Sequence, residues 1–569
     1  MGVVTGAQVG RVSGPLVEVD GLGHAAMFDL VSLGTAGLPG EVIAVRDGVA
    51  SVQAYEYTGG LRPGEPVVGR GHPLSARLGP GLLGSVFDGL LRPLSGAPVW
   101  LAPGALPAPP VRRWRFEPSV RRGEQVEPGA EIGVVEPDSP LPHRVLVPPG
   151  VRGVVAAVCP AGRRWDDRPV ARIGDVDVGL VTEWPVRVPR PCRRRTDDIE
   201  PLRTGQRAVD LLFPVAKGGS AAVPGGFGTG KTMLLQQIAK WCDADVIVYV
   251  GCGERGNEMA EVVADLHELA DPRTGGRLAD RTVVIANTSN MPMMARQASV
   301  HTGITVAEYF RDMGYHAVVI ADSTSRWAEA LREFASRTGA LPAEEGYPAD
   351  LASALASFYE RAGAVVTLGG RPASVTVVGA VSPPSGDMTE PVTTYTERFT
   401  RCRWTLDRDL AYARHYPAVS WSSSFARDAD AIGAGRAAAG QAGWSQRRAR
   451  LVDMLAEADR LAALAELVGA AGLPDRERVA MLAGRLVREA VLQQNSLSAV
   501  DGYCADDRAD ALVTSTLDVI EHCRSAGVAA ETLERFDFGP LLRAREEAAT
   551  AAEVLARRDD VLARLRELS

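Results

Sequence analysis

Residues 225–232 read Gly225-Gly226-Phe227-Gly228-Thr229-Gly230-Lys231-Thr232, a match to the pattern G-x-x-x-x-G-K-[ST]. Glycines at this spacing let backbone N–H groups turn inward and cradle phosphates, and a helix starting near Lys231 adds the positive end of its dipole. An apolar helical stretch, 233–241, follows directly, which is the context the pattern needs. In such a loop the lysine contacts the β- and γ-phosphates and the Thr232 hydroxyl ligates Mg²⁺. The bland alternative is a glycine-rich turn ahead of an ordinary helix. Lysine is too rare here to favour it: the 569 residues contain only Lys217, Lys231 and Lys240. Nearly all positive charge is therefore arginine, which cannot replace a compact point charge.

Two further stretches extend the site. His316-Ala317-Val318-Val319-Ile320-Ala321-Asp322 is an apolar strand ending in a carboxylate, and ligands bind at the carboxyl edge of open α/β sheets. Asp322 is expected to hold the Mg²⁺ shell, through water. The strand 246–250 runs into Gly251-Cys252-Gly253-Glu254-Arg255-Gly256-Asn257-Glu258. As the next strand after the phosphate loop, it is expected to lie beside the loop's own strand. Glu254 at its end can polarise a water in line with the γ-phosphate, with Glu258 as the competing candidate. Arg255 either fixes that carboxylate or senses the γ-phosphate.

Working outward, residues 1–72 read as short strands broken by Gly and Pro (8–19, 40–45, 49–55), the spacing of a small β-barrel. A Pro- and Arg-rich segment then carries strand candidates at 126–135 and 148–158, so 107–190 forms a second, inserted β module. From about 200 to 425, apolar strands (246–250, 282–286, 317–321, 364–368, 375–381) alternate with helical stretches, the mark of a mostly parallel covered sheet. Residues 73–106 and 191–434 make up this nucleotide-binding core. From 435 to 569, Ala, Leu, Arg and Glu at helical spacing indicate a helical domain, closing with one helix over about 541–568.

Composition narrows the function classes. At 46% apolar and 23% charged the chain is ordinary globular protein, not a disordered one. Lys plus Arg is 62 against 70 Asp plus Glu, a formal charge of −8, which argues against broad binding of duplex nucleic acid. The most apolar stretch, 82–111, is broken by Asp88, Arg92 and prolines, so neither it nor the N-terminus reads as a membrane span or signal peptide. Seven cysteines without a C-x-x-C pair read as reduced thiols of a cytoplasm, and eight dispersed histidines suggest no structural metal. Arg193–Arg195 reads as a solvated linker.

Several stretches together resemble one family. DLLFPVAKGGSAAVPGGFGTGKT (210–232), GCGERGNEM (251–259), ADSTSRWAEALRE (321–333), GYP (346–348), SFYERAG (357–363) and RHYPAVSW (414–421) are similar to the catalytic A subunit of V/A-type rotary ATPases. EYTGGLRPGEPV (56–67), LGPGLLGSVFDGLLRPL (78–94), WPVRVPRP (184–191) and LVREAVLQQNSLSAVDGYC (486–504) extend the resemblance over nearly the whole chain. It implies an α/β fold: a RecA-like P-loop NTPase core with an N-terminal β-barrel, an inserted β module and a C-terminal helical domain.

The resemblance also implies roles. Glu254 takes the catalytic glutamate position, with Arg255 beside it, and Tyr416 and Tyr503 match aromatic positions that line the adenine pocket. Phe227 is expected to pack rather than to touch ligand. The substrate is ATP or ADP with Mg²⁺, and no other cofactor is implied. Three such chains would alternate with three non-catalytic B-type subunits, which supply an arginine in trans. Central and peripheral stalks would join this ring to a membrane sector moving protons or sodium ions, placing the chain at the cytoplasmic face of a membrane, without nucleic acid. Two departures stand out: Thr229 replaces a loop cysteine found in many members, and Gly226 loosens the start of the loop. The competing readings are a hexameric translocase or helicase of similar core, and a nucleotide-binding protein without turnover.

Overall fold

The computed structural model describes residues 6–95, 111–136, 140–338, 341–469 and 472–568. Residues 7–73 form six strands closed into a barrel, in the order first, second, fifth, fourth, third, sixth. Alternation makes it close: Val9, Val17, Val19, Val31, Val42 and Val52 point inward and pack with Leu33 into a core of their own. The stretch 8–19, read as one strand, is a hairpin of Ala7–Ser13 and Leu16–Asp20. Gly14, at φ 61°, and Pro15 turn the chain between them, and Ser13 pairs with Leu16.

The inserted module contains two four-stranded antiparallel sheets, one built around Arg113–Pro118 and Glu131–Glu136, the other around Gly153–Val158 and Pro169–Ile173. It too has a separate apolar core, from Trp114 to Leu180. Its expected start at 106/107 lies outside the described residues, as does half of the apolar stretch 82–111. Among the described residues no helix is long and apolar enough to cross a membrane.

The nucleotide core is a sheet whose central strands run parallel: Ser220–Pro224, Pro372–Val381, His316–Asp322, Val246–Cys252 and Thr282–Asn287, neighbouring in that order. Every residue of Val246–Cys252 and Thr282–Asn287 is buried, as expected of parallel strands covered on both faces. The expectation that the Glu254 strand lies beside the phosphate-loop strand is overturned, because two strands intervene. Local pattern specifies that a strand exists but not where it inserts in the sheet. The stretch read as 364–368 is Gly363–Val366, folded antiparallel onto Pro372–Val381 as the arm of a hairpin.

Parallel register is what assembles the site. Pro224 is level with Val381, and Gly251 is level with Asp322. The phosphate loop, Glu254 and Asp322 therefore emerge from one edge of the sheet. The C-terminal helices do not have a core apart: Leu451, Leu486, Leu512 and Val561 join the cluster that contains Leu235, Ile238 and Tyr249 of the nucleotide core. The closing helix read over 541–568 is two, Gly539–Glu547 and Ala551–Arg566. The break is capped, with the Thr550 hydroxyl accepting from Glu553 N and the Glu553 carboxylate accepting from Ala549 N.

Candidate active site

The phosphate loop bends because two of its glycines take left-handed backbone, Gly228 at φ 79° and Gly230 at φ 85°. Gly230 is doubly constrained, since a Cβ there would lie 3.3 Å from the Tyr416 ring. The loop is pinned from within: Thr229, buried, donates to Gly226 O at 2.8 Å. Helix Lys231–Trp241 follows directly, so its first N–H groups face the hollow of the loop. The Lys231 ammonium donates to Gly225 O at 2.5 Å and Gly226 O at 3.0 Å, and burial lowers its pKa.

Beside it, Asp322 ends its strand buried, accepting at one oxygen from Tyr249 OH (3.1 Å) and Thr232 Oγ1 (3.3 Å). Burial raises its pKa despite both donors. Thr232 and Asp322 thus offer neighbouring hard oxygens, one of them on a desolvated carboxylate, a donor set that suits Mg²⁺.

Glu254 follows strand Val246–Cys252 on a short loop. Gly253 N donates to Asn287 O (2.6 Å), and Ser289 N donates to Glu254 O (2.8 Å). The Glu254 carboxyl is pushed up to about 7, first by burial and then by the Asp322 charge, with Arg326 and Lys231 pulling it back. A carboxylate of that pKa is matched to proton acceptance near neutrality. Glu258 lies in the first turn of helix Gly256–Glu268, its side chain 44% exposed and 3.9 Å from Arg255. The Arg255 side chain is 72% exposed.

These groups share one cavity of about 860 Å³, lined by the loop from Gly226 to Thr232 together with Glu254, Arg255, Glu258 and Asp322. It also brings in Arg296, Arg326, Glu329 and Arg408, which sequence reasoning missed. Arg326 was legible in principle: it sits four residues after Asp322, at the start of helix Thr324–Thr338, on the same edge of the sheet. Phe227 is 92% exposed at this cavity, so it is not a packing residue within this chain and the packing expectation is corrected.

A second cavity of about 460 Å³ adjoins the first, sharing Gly230 and Met233. Tyr416, Leu234, Pro417 and the segment 493–497 line it. It is largely apolar and partly open, with Gln237, Gln493 and Asn495 among its lining residues, a mix that suits a base. Tyr503 is not on its wall; its ring stacks on Trp241 at 5.1 Å between centroids.

The loop has no thiol, and the nearest in sequence, Cys242 and Cys252, are fully buried, with Cys252 pushed up to about 12 by burial. N-ethylmaleimide is expected to label Cys159 and Cys192 first, with nucleotide hydrolysis retained. Peptide mapping checks this: ATP-protectable inactivation at any residue of 225–232 would contradict the site.

The sequence pattern of the ATP synthase alpha/beta family, nucleotide-binding domain, matches residues 205–426. The family's beta-barrel domain matches 9–71, its barrel-sandwich domain 108–187, and the C-terminal domain of V and A type ATP synthase 437–523. The chain is 51% identical over 514 residues to a V-type ATP synthase alpha chain of Anaeromyxobacter dehalogenans, covering 88% of this chain and 87% of the relative. It is 46% identical over 546 residues to the A subunit of the A-type ATP synthase of Methanopyrus kandleri, covering 93% and 92%. A V-type ATP synthase alpha chain of Thermoanaerobacter pseudethanolicus is 46% identical over 511 residues, covering 88% and 86%.

Proposed function

The chain belongs to the ATP synthase alpha/beta family, and we propose that it is the catalytic subunit of a V/A-type rotary ATPase, hydrolysing or synthesising ATP coupled to ion transport. The observation that carries the site assignment is the convergence of Lys231, Thr232, Glu254 and Asp322 on one cavity that opens into an apolar pocket. A triphosphate fits the first compartment and its base the second.

In hydrolysis Lys231 leaves its own loop carbonyls for the β- and γ-phosphates, where backbone N–H groups of the loop share the charge. Glu254 orients a water in line with the γ-phosphorus and accepts its proton as the new P–O bond forms and the bridging P–O bond breaks, the electron pair leaving with ADP. Thr232 and, through water, Asp322 would hold Mg²⁺, which would supply charge neutralisation at the phosphate oxygens. Arg255 and Arg326 flank the γ-phosphate end and Tyr416 supports the base, while Tyr503 stacks on Trp241 at the far end of the helix whose first turns line the pocket. Assembly with other ATPase subunits follows from the family. The finer arrangement is three of these chains alternating with three non-catalytic partners that each supply an arginine, carried on stalks above an ion-translocating membrane sector.

Lys231→Ala tests the site and separates the proposal from a nucleic-acid motor. Removing the ammonium from the phosphates is expected to cost on the order of 10²–10³-fold or more in ATP turnover, the loss typical of one charge-stabilising donor. RNA is expected to leave wild-type turnover unchanged. Turnover of Lys231→Ala within a few-fold of wild type would sink the phosphate-loop assignment, and RNA-stimulated turnover would favour a translocase.

A further inference from the structure

The base-side cavity has two walls of different origin. One is helix Lys231–Trp241 and the stretch 416–418 of the nucleotide core; the other is the segment 493–497, which follows the C-terminal helices Trp444–Val468 and Asp475–Leu486. Something must fix the second wall against the first, because a pocket whose walls drift apart loses its grip on a flat ring.

The structure puts one guanidinium behind that wall. Arg207, in the short helix Arg207–Leu212, has a fully buried side chain that does not reach the cavity. Its Nη2 donates to Gln493 O (2.6 Å), its Nε to Val491 O (2.7 Å), and its Nη1 to the buried Asp501 carboxylate (2.5 Å). Its own backbone N–H donates to Gln494 Oε1 (2.8 Å). Gln494 N in turn donates to Tyr416 O (2.7 Å), while Asn495 N donates to the other oxygen of Asp501 (2.7 Å). Three consecutive wall residues are therefore held by Arg207 or by its ion-pair partner, and the chain of bonds ends on the backbone of Tyr416. Arg545, which lines the cavity, also reaches Asp501, at 3.6 Å.

We propose that Arg207 is a positioning residue for the base pocket: with Asp501 it pins the segment 493–497 to the nucleotide core and so sets the affinity for the base, not the rate of phosphoryl transfer. This rests on the reading of the site as a nucleotide site. The planar fork is what the position demands, because it reaches two carbonyls and a carboxylate at once, and an ammonium cannot reproduce those directions.

The test compares two probes on the full chain, Mg-ATP and Mg-tripolyphosphate, which shares the phosphates but has no base. Arg207→Lys is expected to weaken ATP binding about ten-fold, the scale of one aromatic contact to a base, and to leave tripolyphosphate within two-fold. In the assembled enzyme the same variant raises KM for ATP with kcat within two-fold. Asp501→Asn, which keeps shape and loses only charge, serves if Arg207→Lys does not fold, and is expected to shift the two probes in the same unequal way. Equal loss for both probes, or unchanged ATP affinity, overturns the proposal. Wild type that binds neither probe overturns the nucleotide-site reading instead, and wild type that binds both equally removes the base pocket.

Discussion

Glu254→Gln is expected to keep ATP bound within a few-fold of wild type and to slow hydrolysis by about 10²–10⁴-fold, the usual contribution of a positioned base. The amide fills the same space beside Asp322 and Lys231, so the phosphate cradle is undisturbed, but it accepts no proton. Removing the Glu254 carboxylate also takes away one negative charge that faces the triphosphate. The wild-type pH profile should carry the same signature. Glu254 titrates near 7 because it is buried beside Asp322. A base works deprotonated, so kcat/KM is expected to rise with pH through that region and to level off above it. Glu254→Gln should lack this acid limb. Glu258→Gln should change little, since that side chain is half exposed and turned to Arg255. An inactive Glu258→Gln beside an active Glu254→Gln would reverse the two roles.

The parts of the site that were legible in the sequence are those whose chemistry is local. A phosphate cradle needs its glycines, lysine and hydroxyl close together in the chain, so the loop announces itself at 225–232. Asp322 and Glu254 could be placed at the cavity because one ends an apolar strand and the other follows one by two residues, and a strand buried on both faces has only its end free. Strand order was not readable. Whether Val246–Cys252 lies next to Ser220–Pro224 depends on where His316–Asp322 and Pro372–Val381 insert. Those pairings join residues far apart in the chain, Val246 with Ala317 and Ser220 with Val377. Arg296 was missed for a related reason: it is one arginine on a helix among many, and only the packing of helix Met293–Asp312 brings it to the cavity. The break before Ala551 is a different kind of miss. Thr550 and Glu553 form an N-terminal capping pair that was present in the sequence, and the Ala- and Arg-rich composition around it obscured the signal.

The isolated chain is expected to bind Mg-ATP and turn it over slowly, with the non-catalytic partner raising kcat by roughly 10³–10⁵, the range for an arginine supplied in trans. Three of the arginines already in the cavity are engaged elsewhere. Arg326 is tied to Glu329 at 3.0 Å, Arg296 donates to the carbonyl of Ser289 at 3.3 Å, and Arg255 faces Glu258 across 3.9 Å. Each would have to break its present contact to follow charge as it moves onto the departing ADP. Arg255 is also tethered beside the base itself, a position suited to the γ-phosphate and poorly suited to the bridging oxygen. Phe227 stands 92% exposed at this cavity, a single apolar side chain that a partner docked there would cover. Mixing the chain with its partner should therefore raise kcat far more than it lowers KM, because a transition-state contact is absent from the ground state. Substituting the responsible partner arginine by alanine should return the complex to the slow rate while leaving assembly and ATP binding intact. Full activity from this chain alone, verified as a monomer, would refute the shared site and assign the missing cation to Arg326, Arg296 or Arg408.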